Sequence, residues 1–193
     1  MCPLNTPQAT IFFSRMRFRL ELSCCGIIAL LGMFSEPVLG QRPLDAAVPA
    51  PGTGRECAIE RVVDGDTFVC AGGERVRLLL IDTPELSQRP YGDSARTAAR
   101  SLLPVGARVR LEHDVELRDR YGRTLAYVYQ GDVFVNRELV RRGMAVVSVY
   151  PPNVREVDVL RAASDSARSE RKGLWSGSAF ECSPRDYRAR RCR

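Results

Sequence analysis

Three acidic residues and two arginines stand in short motifs that suit chemistry on a phosphate ester. Asp66 lies in the run VDGDT, and the run IDTPE supplies Asp82 and Glu85. Arg77 precedes the second motif, and Arg123 follows a Tyr-Gly pair farther along the chain. Carboxylates bind hard cations, and a guanidinium donates paired hydrogen bonds to phosphate oxygens.

Hydrolysis of a phosphodiester requires a nucleophilic water, neutralised phosphoryl charge and help for the leaving oxygen. The barrier reduction lies toward the top of the ~8–23 kcal/mol range of enzymes, and one general base supplies only about 10²–10⁴-fold. Several groups must therefore act together. Glu85 is the candidate general base, and Arg77 and Arg123 are the candidate phosphate donors. Taken alone, either arginine also fits a surface strand residue.

Asp66 and Asp82 are the candidate metal ligands, with the carbonyl of Thr83 as a third. A hairpin turning at the Gly72-Gly73 pair folds the third strand back along the second, which brings the two carboxylates together. Two such carboxylates repel unless a proton or a cation lies between them. The alternatives are a turn residue for Asp66 and a helix cap or Asx-turn for Asp82.

Strict alternation along a strand places Arg77 and Asp82, five residues apart, on opposite faces of a sheet. For both side chains to reach one phosphate, the chain must bulge, bend or twist between Leu78 and Ile81. The sequence therefore predicts such a departure from a regular strand.

The elements that position these residues are mainly β. The pattern predicts strands at Cys57–Val63, Thr67–Cys70, Glu74–Ile81, Arg108–His113 and Arg123–Tyr129. It predicts helices at Tyr91–Leu103, Asn136–Arg142 and about Val154–Lys172. We expect an α+β, mainly β fold: a five-stranded OB-fold barrel with about three helices.

The amino terminus is typical of a secretory signal. A basic segment with Arg15, Arg17 and Arg19 precedes the apolar run Leu22–Phe34, and small residues precede position 41. We predict a signal peptide over 1–40 and hypothesise that translation starts at Met16; an uncleaved anchor is the alternative. A linker over 41–55, the folded domain 56–177 and an arginine-rich tail over 178–193 follow.

The cysteines agree with export. Removal of the signal leaves four, which favours disulfides over metal ligation and predicts a secreted or periplasmic protein. Three pairings are possible, and we favour Cys57–Cys70, across the predicted hairpin, with Cys182–Cys192 in the tail. Outside the cell the abundant hard cation is calcium. The net charge of +6 adds slight support for a polyanionic partner.

Four fragments, in their order and spacing, resemble the staphylococcal-nuclease family over about residues 56–176. The fragments are VDGDT at 63–67, VRLLLIDTPE at 76–85, DRYGRTLAY at 119–127 and GLWS at 173–176. The resemblance implies a calcium-dependent phosphodiesterase acting on DNA and on RNA. It also implies catalytic roles for Arg77, Arg123 and Glu85.

The resemblance further implies a nucleotide pocket with Tyr121 and Tyr150, for which a buried core tyrosine is the alternative. The sequence departs from the family at Ser148, where another tyrosine is common. The segment Leu86–Pro90 is shorter than the corresponding loop and lacks its lysines. These departures bear on base preference and binding strength rather than on cleavage.

The sequence can be weighed against two rival functions. One is a catalytically silent nuclease-like module, which the presence of all five site residues disfavours. The other is an OB-type binding module without nuclease ancestry, which cannot account for the joint presence of DGD, DTPE and YGR. We expect a monomer with no stable protein partner, and a membrane association only if the signal is uncleaved. For the arginine-rich tail, a solvated terminus is slightly favoured over phosphate contacts.

Overall fold

The computed structural model describes residues 54–192. The predicted signal peptide and nearly all of the predicted linker lie outside this range. Among the described residues, no helix has both the length and the apolar character needed to span a bilayer.

Six strands form one continuous sheet. They are β1 (Arg55–Val62), β2 (Thr67–Cys70), β3 (Arg75–Leu78), β5 (Arg108–Glu112), β6 (Thr124–Gln130) and β7 (Val133–Phe134). Their order is β3-β2-β1-β5-β6-β7, and a further parallel pairing of β3 with β6 closes the first five into a barrel. The two-residue strands β4 (Ile81–Asp82) and β8 (Val146–Val147) pair with each other beside it. The predicted OB-fold barrel is confirmed.

The first hairpin forms where the sequence predicts it. Gly72 and Gly73 have φ angles of 97° and 86°, which side chains other than hydrogen rarely tolerate. Thr67 on β2 then pairs with Arg77 on β3. A disulfide joins Cys57 and Cys70 across β1 and β2, with a Cα–Cα distance of 5.8 Å. The favoured pairing of these cysteines is confirmed.

Four α-helices occur in the described residues, whereas the sequence predicted about three. They are α1 (Tyr91–Leu102), α2 (Val135–Arg141), α3 (Val157–Ser169) and α4 (Pro184–Arg188). The first three overlap the predicted helical segments, and α2 begins one residue earlier than predicted. The additional helix α4 lies within the predicted tail, where the second disulfide, Cys182–Cys192, is also present.

One apolar core fills the barrel and continues beneath the helices. Its largest fully buried side chains include Phe68 on β2, Leu111 on β5 and Tyr127 on β6. Leu139 on α2 and Leu160 on α3 are equally buried: α2 packs on β6 of the barrel, and α3 packs on α2 and β8. The parallel pairing of β3 and β6 sets Arg77 opposite Leu125, and Arg123 immediately precedes β6. Barrel closure therefore fixes both candidate arginines at one seam.

Candidate active site

The two candidate cation ligands meet around the guanidinium of Arg77. Arg77 Nε lies 3.1 Å from Asp66 Oδ1, and Arg77 Nη2 donates to Asp82 Oδ1 over 3.1 Å. Both carboxylates are buried, and the arginine side chain is only 15% exposed. The prediction that the hairpin brings Asp66 and Asp82 together is therefore confirmed.

A sharp turn brings Asp82 back to Arg77. Strand β3 ends at Leu78, and Leu80 adopts a φ of 61°, a left-handed conformation that is uncommon for a non-glycine residue. The buried amide of Asn136 donates to Leu79 O over 2.9 Å, and the N–H of Ser148 donates to Leu80 O over 2.8 Å. These bonds satisfy carbonyls that the turn removes from the ladder. The predicted departure between Leu78 and Ile81 is present.

The Asp64-Gly65-Asp66 turn packs directly on the segment that follows Asp82. Thr83 N and Thr83 Oγ1 both donate to Asp66 Oδ2, over 2.9 and 3.1 Å. At Gly65, an added Cβ would lie 2.6 Å from Thr83 Oγ1, so the glycine permits this approach. The arrangement holds the Asp66 carboxylate and Thr83, the candidate third ligand, in fixed relation.

Burial disfavours the ionised form of two carboxyl groups in the cleft, Asp64 and Asp82. Burial, reinforced by the charge of Asp66, raises the pKa of Asp64 to about 6. Burial also raises the pKa of Asp82, and the hydrogen bonds that it accepts from Arg188 only partly offset this effect. Raised carboxyl pKa values indicate a place where an added cation is favourable.

Glu85, the candidate base, lies at the rim of the cleft with its side chain 37% exposed. Its backbone N–H donates to Gln88 Oε1 over 2.9 Å, and its carboxylate lies 2.7 Å from Arg188 Nη1. Behind it, Gly92 on α1 lies so close that an added Cβ would be 2.1 Å from Glu85 O. The first turn of α1 thus supports the backbone that carries Glu85.

Arg123 is oriented by a carboxylate in its own motif. Asp119 accepts from the backbone N–H of Arg123 over 3.0 Å and from its Nε over 2.7 Å. Burial opposes ionisation of Asp119, but the bonds from Arg123 outweigh it and hold the pKa of Asp119 below its usual value. Both hydrogen bonds from Arg123 to described residues use its backbone and Nε, which leaves the two terminal nitrogens available to a phosphate.

Tyr121 and Tyr150 line the same cleft, a cavity of about 1140 Å³ shared with all the candidate catalytic and metal-binding residues. The two rings are 68% and 57% exposed, so neither is a buried core tyrosine. The guanidinium of Arg120 lies 4.8 Å from the centre of the Tyr121 ring. Ser148, at the position where the resemblance leads us to expect a tyrosine, also lines the cleft.

The donors present fit a hard cation by their chemistry. Asp66 and Asp82 supply carboxylate oxygens, and Thr83 supplies a carbonyl, the donor types that Ca²⁺ and Mg²⁺ prefer. Within residues 54–192, no three side chains of His, Cys, Asp or Glu converge as a complete metal cage. A site of two carboxylates and a carbonyl would therefore take its remaining ligands from water or substrate.

The arginine-rich tail differs from its prediction. Arg188 on α4 donates through Nη1 to Asp82 Oδ1 over 3.1 Å and through Nη2 to Asp82 Oδ2 over 2.7 Å. Arg185 also lines the cleft. The expectation of a solvated terminus is wrong at Arg188, because the segment folds back and pairs with the buried Asp82 and with Glu85 at the rim. The predicted Cys182–Cys192 disulfide was the signal in the sequence that this segment is held in a defined shape.

The closed barrel and the cleft beside it define an OB-fold protein with acidic and arginine side chains converging at one seam. The sequence profile described as Staphylococcal nuclease homologue matches residues 75–177. The chain belongs to this family.

Curated relatives agree with this assignment. The chain is 38% identical over 130 residues to the thermonuclease of Staphylococcus intermedius, and the matched region covers 63% of this chain and 77% of that protein. It is 38% identical over 132 residues to endonuclease YncB of Bacillus subtilis, covering 63% of this chain and 62% of that protein. It is also 38% identical over 135 residues to the SPbeta prophage-derived endonuclease YokF of the same organism, covering 65% of this chain and 45% of that protein.

Proposed function

We propose that this protein is a calcium-dependent endonuclease that hydrolyses phosphodiester bonds of DNA and of RNA. The observation that carries the proposal is the bridge from Arg77 to the buried Asp66 and Asp82, in one cleft with Glu85 and Arg123. Relatives named thermonuclease and endonuclease support the same activity. Calcium, the residue roles and the substrate range are parts of the proposal.

Asp66, Asp82 and the Thr83 carbonyl would hold the cation. When bound, it would supply positive charge to the phosphoryl oxygens and to the attacking water. Glu85 takes the proton of that water, because it is the partly exposed carboxylate at the rim of the acidic group. Arg123, oriented by Asp119, and Arg77 donate to the phosphoryl oxygens as negative charge gathers on them. The scissile P–O bond then breaks, and the leaving oxygen takes up a proton from solvent.

The exposed rings of Tyr121 and Tyr150 are proposed to stack on the bases of a single strand. Stacking of one base on an aromatic side chain is worth about 1–3 kcal/mol. We therefore expect Tyr121→Ala to raise KM more than it lowers kcat. A catalytically silent binding module would need the same rings but would not need Glu85.

Cleavage of single-stranded DNA and of RNA by the purified protein tests the proposal, with calcium, with magnesium and with a chelator. We expect cleavage with calcium and none with the chelator. Glu85→Gln should lower kcat by about 10²–10⁴-fold, and Arg123→Lys by about 10²–10³-fold. Glu60→Gln, an exposed residue of β1, is the matched control and should leave cleavage unchanged. Full activity in folded Glu85→Gln would refute the mechanism.

We also propose that the protein is exported to the periplasm or the medium. Its two disulfides support this location, because such bonds persist in oxidising compartments. Amino-terminal sequencing of the exported form should begin at Gln41. If the chain is recovered in the membrane fraction and still contains residues 16–40, the uncleaved anchor is favoured instead.

A further inference from the structure

The last described segment, residues 178–192, is here named the C-terminal loop. It lies beyond residues 75–177, the part matched by the family. Through Arg188 it contacts both oxygens of Asp82, at 3.1 and 2.7 Å, and Oε1 of Glu85, at 2.7 Å. The guanidinium thus bridges a candidate metal ligand and the candidate base.

Several bonds hold the C-terminal loop in this position. A disulfide joins Cys182 to Cys192, and Ser183 caps α4 by accepting from the N–H of Asp186 over 3.1 Å. Gln88 Nε2 donates to Cys182 O over 3.4 Å, while the Oε1 of the same side chain accepts from Glu85 N. Arg188 is therefore presented to the acidic group from a closed and anchored loop.

The position of Arg188 is incompatible with full use of Asp82 as a metal ligand. Calcium coordinates oxygen at about 2.3–2.6 Å and needs a direct approach to the carboxylate. Both Asp82 oxygens already accept from Arg188, and one of them also accepts from Arg77. Arg188 is 42% exposed, so it can swing toward solvent more readily than Arg77, which is 15% exposed.

A tethered cation competes strongly because its effective concentration at the site is high, in the millimolar range for a short tether. We propose that Arg188 is a built-in competitor of the metal ion, and that the C-terminal loop sets the calcium concentration at which the active site loads. This inference rests on the proposed function, since it concerns the same cation. Removal of the guanidinium should tighten calcium binding, whereas an ordinary substrate-binding arginine would leave it unchanged.

Calcium binding is measured by titration calorimetry on the metal-free chain, without nucleic acid. Arg188→Gln should lower the calcium Kd at least tenfold relative to the unaltered protein. Arg188→Lys, which keeps the charge but loses the paired donors, should give an intermediate Kd. Arg190→Gln makes the same charge change in the same loop, and in the described part of the chain the Arg190 side chain has no hydrogen bond or ion pair to Asp66, Asp82 or Glu85. Its Kd should equal that of the unaltered protein.

A second variant separates the tether from the charge. The double substitution Cys182→Ser with Cys192→Ser opens the C-terminal loop but keeps the Arg188 side chain. The calcium Kd of this variant should therefore lie between those of the unaltered protein and Arg188→Gln. Thermal unfolding gives an independent readout. In the presence of a chelator, Arg188→Gln should melt at a lower temperature than the unaltered protein, because Asp82 loses a partner. Saturating calcium should raise the melting temperature of Arg188→Gln by more than it raises that of the unaltered protein.

The proposal is overturned if Arg188→Gln binds calcium with an equal or higher Kd, or if no form binds calcium. It is also overturned if Arg190→Gln tightens binding as much as Arg188→Gln, since the effect would then be general charge. The proposed nuclease function fails on different evidence, the absence of nucleic-acid cleavage by the unaltered protein in the presence of calcium. The two ideas can therefore be rejected separately.

Discussion

Arg77 Nη2 donates to Asp82 Oδ1 over 3.1 Å although the two residues are five apart on what begins as one strand. The contact exists because the chain turns at Leu80, whose φ is 61°. Asn136 on α2 stabilises this turn from the core, where it accepts from Val128 N and donates to Leu79 O. Geometry at the acidic group thus depends on a residue that lies outside the cleft.

Asn136→Ala should therefore affect both stability and cleavage. It leaves the buried Leu79 O and Val128 N without this partner, at a cost of about 1–3 kcal/mol for each unsatisfied group. We expect the free energy of unfolding to fall by about 2–6 kcal/mol, and kcat to fall at a temperature where the variant is folded. Arg137→Ala, on the same helix, is the control; equal kcat for both variants would show that the turn does not need Asn136.

Gly92→Ala tests whether α1 positions the candidate base. The new Cβ would lie 2.1 Å from Glu85 O, so the Glu85 backbone must move. Such overpacking costs about 1–3 kcal/mol, and we expect at least a tenfold loss of kcat with a smaller change in KM. Gly177→Ala adds the same methyl group where no atom lies within 4 Å. Steady-state kinetics on the two variants should differ clearly, and matched values would argue against this positioning role.

Glu138→Gln tests a pH-dependent contribution to stability. Hydrogen bonds from Arg141, and then from Arg142, lower the pKa of Glu138 to about 2 from an ordinary 4.5. A lowered carboxyl pKa stabilises the folded state above pH 4.5, and the contribution disappears as pH falls toward 2. After allowance for solvent screening, we expect Glu138→Gln to cost about 1 kcal/mol at pH 7.

Thermal unfolding from pH 7 to pH 2 measures this contribution. The difference between Glu138→Gln and the unaltered protein should shrink as pH falls below 4.5. Glu181→Gln, an exposed residue outside α2, should show no such trend. A difference that stays constant across this range would mean that Glu138 acts through packing and not through its charge.

The two disulfides should differ in what they stabilise. Cys57 and Cys70 join β1 to β2 inside the barrel and are 13 residues apart, so Cys57→Ala with Cys70→Ala should lower the free energy of unfolding by about 3 kcal/mol. The pair Cys182–Cys192 lies outside the barrel, and its removal should cost the barrel much less. Guanidinium unfolding of both double variants, followed by tryptophan fluorescence and far-ultraviolet circular dichroism, would reveal the contrast. Equal losses would contradict it.

Much of the fold was predictable because its signals are local. The alternation in Arg108–Glu112 and the Gly72-Gly73 turn each specify a structure within a few residues. The apolar run Leu78–Ile81 was harder, because a buried turn and a buried strand have the same hydrophobic pattern. The predicted single strand is in fact β3, a turn at Leu80 and β4.

The candidate site was predictable where motif and hairpin geometry coincide, as at Asp66, Asp82 and Arg77. Arg188 could not be located, because its partner Asp82 is 106 residues away and no local pattern encodes that contact. The favoured cysteine pairing placed this arginine within a closed loop, but it did not indicate toward which surface the loop faces.

The parallel pairing of β3 with β6 has a consequence for assembly. Residues 76–78 must meet residues 124–126 before this seam exists, although a long stretch of chain separates them. Such non-local pairings form late and slowly. A chain with only its first hairpin formed has Arg77 and Asp66 in place but not Arg123. Recovery of cleavage during refolding should therefore lag behind the recovery of β-structure. The time course of recovered activity would then report how fast the barrel closes.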